Sequence, residues 1–184
     1  MNSLDFSQTA NNPAQPERVP FVIQIVGYKN SGKTTLIAKL VRRLKQAGLI
    51  VGTVKHDAHE FDMDKPGTDT WKHQEAGADM TAISSASRSA IISNRPEPLS
   101  GLLAHMRHAD VVLVEGFKQE HHPKIILLRE TNDRELLGLS EPWIAMLWPE
   151  AEPLRAELTC PAFTIDDDAH IASEIRKRLT PRPR

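Results

Sequence analysis

A chain of 184 residues with 40% hydrophobic and 26% charged side chains has the size and composition of one compact core, which excludes a disordered polymer and leaves little room for two full domains. Its formal charge of -1 supplies no basic field for nucleic acid, and no apolar run nears the roughly 20 residues that span a bilayer, so neither nucleic acid nor a membrane is the expected partner. Cys160 is the only cysteine, which excludes an intrachain disulfide or a thiolate-rich metal site and points to a reducing, cytoplasmic setting.

Residues 1–18 have neither a basic start nor an apolar stretch of signal-peptide type and are expected to form a flexible leader, with 19–184 forming a single P-loop nucleotide-binding domain. Phe21 to Val26 is a short run rich in β-branched residues, suited to a strand buried on both faces. From Lys33 to Ala47 the spacing of Leu36, Ile37, Leu40, Val41 and Leu44 predicts a helix, with Gly48 placed as its C-terminal cap. Leu49 to Val54 reads as a second strand, and the strand–helix–strand unit implies a right-handed crossover in a parallel sheet. The polar stretch 56–79 holds a Pro66-Gly67 turn and a short helix from Asp69 to Ala76 ended by Gly77. Met80–Ser84 and Ser89–Ser93 flank a polar turn and predict a β-hairpin insertion. A helix from Leu99 to Arg107 leads into Val111–Val114, the plainest buried strand of the chain. Further strands are expected at Lys124–Leu128, Trp143–Leu147 and Ala162–Ile165, and a last helix at Ala169–Leu179. The expected class is α/β: a P-loop NTPase-type, mostly parallel sheet with helices on both faces.

Gly27-Tyr28-Lys29-Asn30-Ser31-Gly32-Lys33-Thr34 fits G-x-x-x-x-G-K-[ST], and it falls between a predicted strand and a predicted helix. Glycines let such a loop curl until the backbone N–H groups of Lys29, Asn30, Ser31 and Gly32 and the helix N-terminus point at phosphate oxygens. Lys33 is expected to reach the β- and γ-phosphates, Thr34 to offer a hydroxyl to Mg²⁺, and Thr35 to bond a phosphate. Mg²⁺ also needs an acid, for which Asp110 and Glu115 compete. Five residues of extended chain set them about 16 Å apart. Ligands of open α/β sheets bind beyond the carboxyl ends of the strands, which selects Glu115 and leaves Asp110 to start its strand.

The second strand empties into Lys55-His56-Asp57-Ala58-His59-Glu60-Phe61-Asp62-Met63-Asp64, on the sheet edge that carries the phosphate loop. Lys55 and His56 are therefore candidates to meet a triphosphate. His56 and His59 could also ligate a metal, although ordinary hydrogen bonding is the expected use of these histidines and of His121 and His122. The P-loop, Lys55-His56, Asp62-x-Asp64-Lys65-Pro66-Gly67-x-Asp69, Ala76-Gly77-Ala78, Val114-Glu115-Gly116-Phe117-Lys118 and Pro123-Lys124-Ile125 together resemble the MobB family, the molybdopterin-guanine dinucleotide biosynthesis adapter proteins. The resemblance runs in order from Val22 to Leu128 and departs at Thr68, where the family pattern has Lys. It implies a homodimeric GTP-binding protein with slow Mg²⁺-dependent GTPase activity that associates with molybdopterin-guanylyltransferase and assists molybdenum cofactor assembly. Guanine specificity rests on the resemblance alone, because the chain has no Asn-Lys-x-Asp segment.

Three other readings share these residues. A small-molecule P-loop kinase would need an acceptor pocket and an arginine-bearing lid, for which Arg88 and Arg129 are available without a lid-like pattern. A GTP-dependent metal-insertion chaperone would use the histidines but lacks a Cys-containing metal motif. An interaction module with a vestigial P-loop would bind no nucleotide. The basic end, Arg176-Lys177-Arg178 with Arg182 and Arg184, is expected to complement a helix dipole rather than a partner.

Overall fold

The structure, a computed structural model, describes residues 19–57 and 61–179. The expected leader, His59, Arg182 and Arg184 lie outside the described residues.

The strands β1 (Phe21–Val26), β2 (Val51–Lys55), β5 (Val111–Glu115), β6 (Lys124–Leu128), β7 (Pro142–Leu147) and β8 (Ala162–Thr164) form a 6-stranded sheet in the order β2-β5-β1-β6-β7-β8. Every pairing in it is parallel. β3 (Met80–Ser84) and β4 (Ser89–Ser93) pair antiparallel as a separate ribbon, at the bounds the sequence predicts.

Alternation along the strands sorts side chains to two faces. Ile23, Ile25, Val111, Leu113, Ile125, Leu127, Ile144 and Met146 face α1 (Lys33–Gln46) and α4 (Asp168–Arg178), whose Leu36, Leu40, Leu44, Ile171 and Ile175 are buried among them. Each fully buried Leu contributes about 1.5–3 kcal/mol through apolar surface removed from water. Lys39 and Arg43 of α1 clasp the Asp168 carboxylate of α4, with Arg43 Nε at 2.5 Å and Lys39 Nζ at 3.5 Å. On the opposite face, α3 (Leu99–Ala104) covers Val22, Val54, Val112 and Val114. Two 3-10 segments, Thr131–Gly138 and Pro149–Glu157, cover Val26, Ile126, Leu128, Ala145 and Leu147 there.

Some bounds differ from expectation. α3 ends at Ala104 instead of Arg107, because Met106 N donates to Leu103 O and Ala109 N to Met106 O, a three-residue pattern that tightens the chain out of the helix. β2 starts at Val51 and runs on to Lys55 because its register is set by β5, Val51 opposite Val111 and Lys55 opposite Glu115. The Asp110 carboxylate accepts from Ile50 N at 2.7 Å, at the end of the strands remote from Glu115.

Candidate phosphate and magnesium site

The loop between β1 and α1 turns through two left-handed residues, Asn30 (φ 62) and Gly32 (φ 97). A residue in the left-handed region beside a right-handed one aims successive backbone N–H groups into a common concavity that suits an anion. Gly32 is the N-cap of α1, with no side-chain cap and no acidic residue in the first turn, so that end of the helix dipole has no anionic partner of its own. Gly27 is held to glycine by crowding: a Cβ there would sit 2.5 Å from Ser31 Oγ and 3.0 Å from Leu127 O. Ser31 is fully buried, and its Oγ has no hydrogen-bond partner among the described residues, which marks a polar group built toward something other than the protein.

Lys33 reaches back over the loop, donating to Gly27 O at 3.0 Å and Tyr28 O at 2.7 Å. Burial lowers the pKa of its ammonium, the Glu115 carboxylate acts to raise it, and Lys118 lowers it further. Thr34 Oγ1 donates to both carboxylate oxygens of Glu115, at 3.0 and 3.1 Å, joining the first turn of α1 to the end of β5 across 81 positions of sequence. These hard oxygens, a hydroxyl and a carboxylate beside an anion cradle, are the donor set that suits Mg²⁺.

Lys55 lies opposite Glu115 in the β2–β5 register, but its ammonium pairs with Asp57 at 2.8 Å, a bond that raises its pKa. His56 N donates to Glu115 O at 2.9 Å, and the His56 ring packs on Phe117 with centroids 4.7 Å apart. Lys29, Asn30 and Thr35 are exposed on the loop and the first helical turn. Among the described residues no group of three or more His, Cys, Asp or Glu side chains is close enough to hold a metal ion. His122 is half-buried, with its pKa lowered by burial first, and its backbone N–H donates to Gln24 Oε1 at 3.2 Å. Beyond the site, Asp64 accepts from Thr68 Oγ1 at 2.9 Å and Gln74 Nε2 at 3.0 Å. Thr68 in turn caps α2 (Asp69–Glu75) by accepting from Trp71 N at 3.3 Å. The residue that departs from the family pattern therefore acts here as a helix cap.

Sequence reasoning passed over Gln24, Trp148 and the Lys118–Tyr28 pair. Gln24 is fully buried in β1, with Nε2 donating to Gly116 O and Phe117 O, and the lone polar residue in Phe-Val-Ile-Gln-Ile-Val was the available signal. Trp148 Nε1 donates to Ser31 O at 3.0 Å, fastening the end of β7 to the phosphate loop. Lys118 Nζ sits 4.4 Å over the ring of Tyr28, with only its position in Val-Glu-Gly-Phe-Lys to hint at it.

Residues 22–148 match the family model MobB, molybdopterin guanine dinucleotide synthesis protein B. The chain belongs to the MobB family. Relatives include the molybdopterin-guanine dinucleotide biosynthesis adapter protein of Haemophilus influenzae, 39% identical over 129 residues that cover 68% of this chain and 72% of that protein. The probable adapter protein of Bacillus subtilis is 34% identical over 153 residues, 80% of this chain and 88% of that one. The crystal structure of Bacillus subtilis MobB superposes with a TM-score of 0.73 at 30% identity, over 88% of this chain and 99% of that one. The MobB match holds the phosphate loop, Lys55-His56, Glu115 and Trp148, whereas β8 and α4 lie beyond it.

Proposed function

We propose that this MobB-family chain is a GTP-binding adapter of molybdopterin-guanine dinucleotide biosynthesis that works beside molybdopterin-guanylyltransferase and hydrolyses GTP slowly. The observation that carries the nucleotide part is the meeting of Thr34 with Glu115 next to Lys33, at the mouth of an uncapped helix N-terminus. In this reading the N–H groups of Lys29 to Gly32 and the first turn of α1 bind the phosphates, with Lys33 neutralising the β- and γ-oxygens. Thr34 and Glu115 would hold Mg²⁺, which when bound supplies positive charge to the phosphate oxygens. In the same reading Lys55, opposite Glu115 in the register, and His56, whose N–H donates to Glu115 O, would flank the terminal phosphate.

Slow hydrolysis is the rate that the family resemblance implies, and the want of an evident arginine finger supports it. An arginine finger alone contributes ~10³–10⁵ in rate in GTPases. The sequence offers Arg88 and Arg129 but neither in a lid-like pattern. The adapter role is supported by the relatives, whose names describe adapters of this biosynthesis, and the partner enzyme is the one that the family resemblance implies. Among the described residues no helix is long and apolar enough to cross a membrane. The test is single-turnover GTP hydrolysis with and without purified molybdopterin-guanylyltransferase, alongside co-purification in the GTP and GDP states. Slow turnover with nucleotide-dependent association is expected. Fast turnover by the isolated protein, or no association in either state, would overturn the adapter reading.

A further inference from the structure

Two lysines flank Tyr28 of the phosphate loop. Lys33 Nζ donates to the Tyr28 carbonyl at 2.7 Å, and Lys118 Nζ stands 4.4 Å over the centre of the Tyr28 ring. They come from distant parts of the chain: Lys33 opens α1, and Lys118 ends Glu115-Gly116-Phe117-Lys118 at the start of the connection from β5 to β6. The two are close enough for the Lys118 charge to act on the Lys33 ammonium, whose pKa is lowered first by burial, raised by Glu115 and lowered again by Lys118. Like charges held in one another's field repel, and an anion between them turns that repulsion into a shared attraction.

The Lys118 backbone is firmly placed. Gly116 (φ 91) and Phe117 (φ 51) turn through the left-handed region, which a bulky residue such as Phe adopts only when its surroundings enforce it. Gln24 Nε2 donates to Gly116 O and Phe117 O, the Phe117 ring packs on His56, and Glu120 N donates to Phe117 O at 2.9 Å. The side chain is lightly held by comparison. Lys118 is half-buried, and among the described residues no carboxylate pairs with its ammonium, which has the Tyr28 ring beneath it. A cation–π contact at such a site is weak, whereas a charge-assisted hydrogen bond to phosphate is strong, and the flexible stem of a lysine lets the ammonium exchange one for the other.

Lys33 tells which end of a triphosphate lies here. A P-loop lysine meets the β- and γ-phosphates, and Lys33 Nζ lies at the carbonyls of Gly27 and Tyr28, so the Tyr28 side of the loop faces the terminal phosphate. We infer that Lys118 is a second cation for that phosphate, leaving the Tyr28 ring to bond a γ-oxygen and so distinguishing a triphosphate from a diphosphate. The inference rests on the proposed phosphate site. A diphosphate stops short of Lys118, and the ammonium then stays on Tyr28.

The experiment is calorimetric titration of a non-hydrolysable GTP analogue and of GDP, each with Mg²⁺, into the parent, Lys118→Met and Lys118→Arg. Methionine keeps an unbranched apolar stem against Tyr28 and removes the charge. Lys118→Met should lose about 10- to 100-fold for the analogue, the worth of one charge-assisted contact, and less than about threefold for GDP. Lys118→Arg should bind the analogue within about threefold of the parent, because it restores the charge. Equal losses for the analogue and GDP, with or without a lowered melting temperature, would make Lys118 a structural support and overturn the inference. An analogue affinity untouched by Lys118→Met, or lost as fully in Lys118→Arg, would overturn it too. In each of these cases binding by the parent leaves the phosphate site standing. Failure of the parent to bind either nucleotide would overturn both.

Discussion

Glu115→Gln separates a metal-holding role from a structural one because the two roles move different measurements in different directions. Glu115 is only 9% exposed and accepts the Thr34 hydroxyl through both carboxylate oxygens. Glutamine keeps one of those oxygens, so the hydrogen bond survives, and it removes a desolvated charge. Folding stability should change by less than about 1 kcal/mol. Triphosphate binding in EDTA should hold or improve, since a carboxylate about 5 Å from a phosphate oxygen repels it by roughly 1–3 kcal/mol at an effective dielectric near 20. Binding in Mg²⁺ should weaken by about 10- to 100-fold, because a neutral amide is a poor ligand for a hard cation. The assay is calorimetric titration of a non-hydrolysable GTP analogue in Mg²⁺ and in EDTA for both proteins, with thermal unfolding of each. The ratio of the two affinities should fall by about 10- to 100-fold in the variant. A ratio within about threefold of the parent's, in a protein that melts normally, would refute the reasoning and shift the role to Asp57, Asp62 or Asp64.

Proton linkage at Lys33 should couple to phosphate binding. The free ammonium has its pKa lowered mainly by burial, whereas phosphates beside it would raise that pKa, so between the two values binding takes up a proton and affinity falls as pH rises. Titrations in buffers of differing ionisation enthalpy should reveal that uptake at alkaline pH, and Lys33→Ala should abolish it. Asp168→Asn should cost about 1–3 kcal/mol by stranding Arg43 and Lys39, read from urea midpoints. Burial acts to raise the Asp168 pKa, but the Arg43 bond and the Arg43 and Lys39 charges bring the net shift below 3.8, so its contribution is present above that value and lost as acid carries pH through the lowered one. The hairpin should pair two copies: Met80 and Ile91 share a face and are 56% and 65% exposed, and Ile83 is 54% exposed on the other. Light scattering at tens of micromolar should give a dimer and Ile91→Asp a monomer, whereas a concentration-independent parent monomer would count against it.

The α/β class was legible because β1, β5, β6 and β7 are compact, mostly apolar runs and α1 repeats its leucines at helical spacing between the phosphate loop and Gly48. That Glu115, and not Asp110, lies at the phosphate-loop end of β5 needed only strand length and the rule that ligands gather at carboxyl ends. The two 3-10 segments were not legible: neither repeats an apolar face over several turns, and Pro153 interrupts the second. The Thr131–Gly138 turn depends on the Asp133 carboxylate gathering the backbone N–H groups of Arg129 and Glu130, local chemistry that leaves no periodic trace. Trp148 lies just past the expected strand Trp143–Leu147, and no motif marks it. Only the parallel register of β6 with β7 brings it beside Ser31.

Gln24 shows how the fold holds the end of β5 in place. Parallel neighbours usually need a crossover of a dozen or more residues, often a helix. Here Gly116 to Pro123 must return from the carboxyl end of β5 to the start of β6, passing β1 on the way. Eight residues of extended chain reach about 27 Å at most, against roughly 17 Å for a strand of this length, so the connection has room for one turn, closed by Glu120 N donating to Phe117 O, but has no helix to satisfy its own backbone. Burying those polar groups against the sheet would cost about 1–3 kcal/mol for each one left unpaired. Gln24 meets the need from inside β1, donating to Gly116 O and Phe117 O and accepting from His122 N. The bend itself uses positive φ at Gly116 (φ 91) and Phe117 (φ 51), directly after Glu115. Glu115 is thus fixed by its strand neighbours, by Thr34 and by an anchored loop whose Lys118 rests on Tyr28. A polar side chain in the middle of an apolar strand, costly by itself, is what allows so short a connection to present the carboxylate to the phosphate loop.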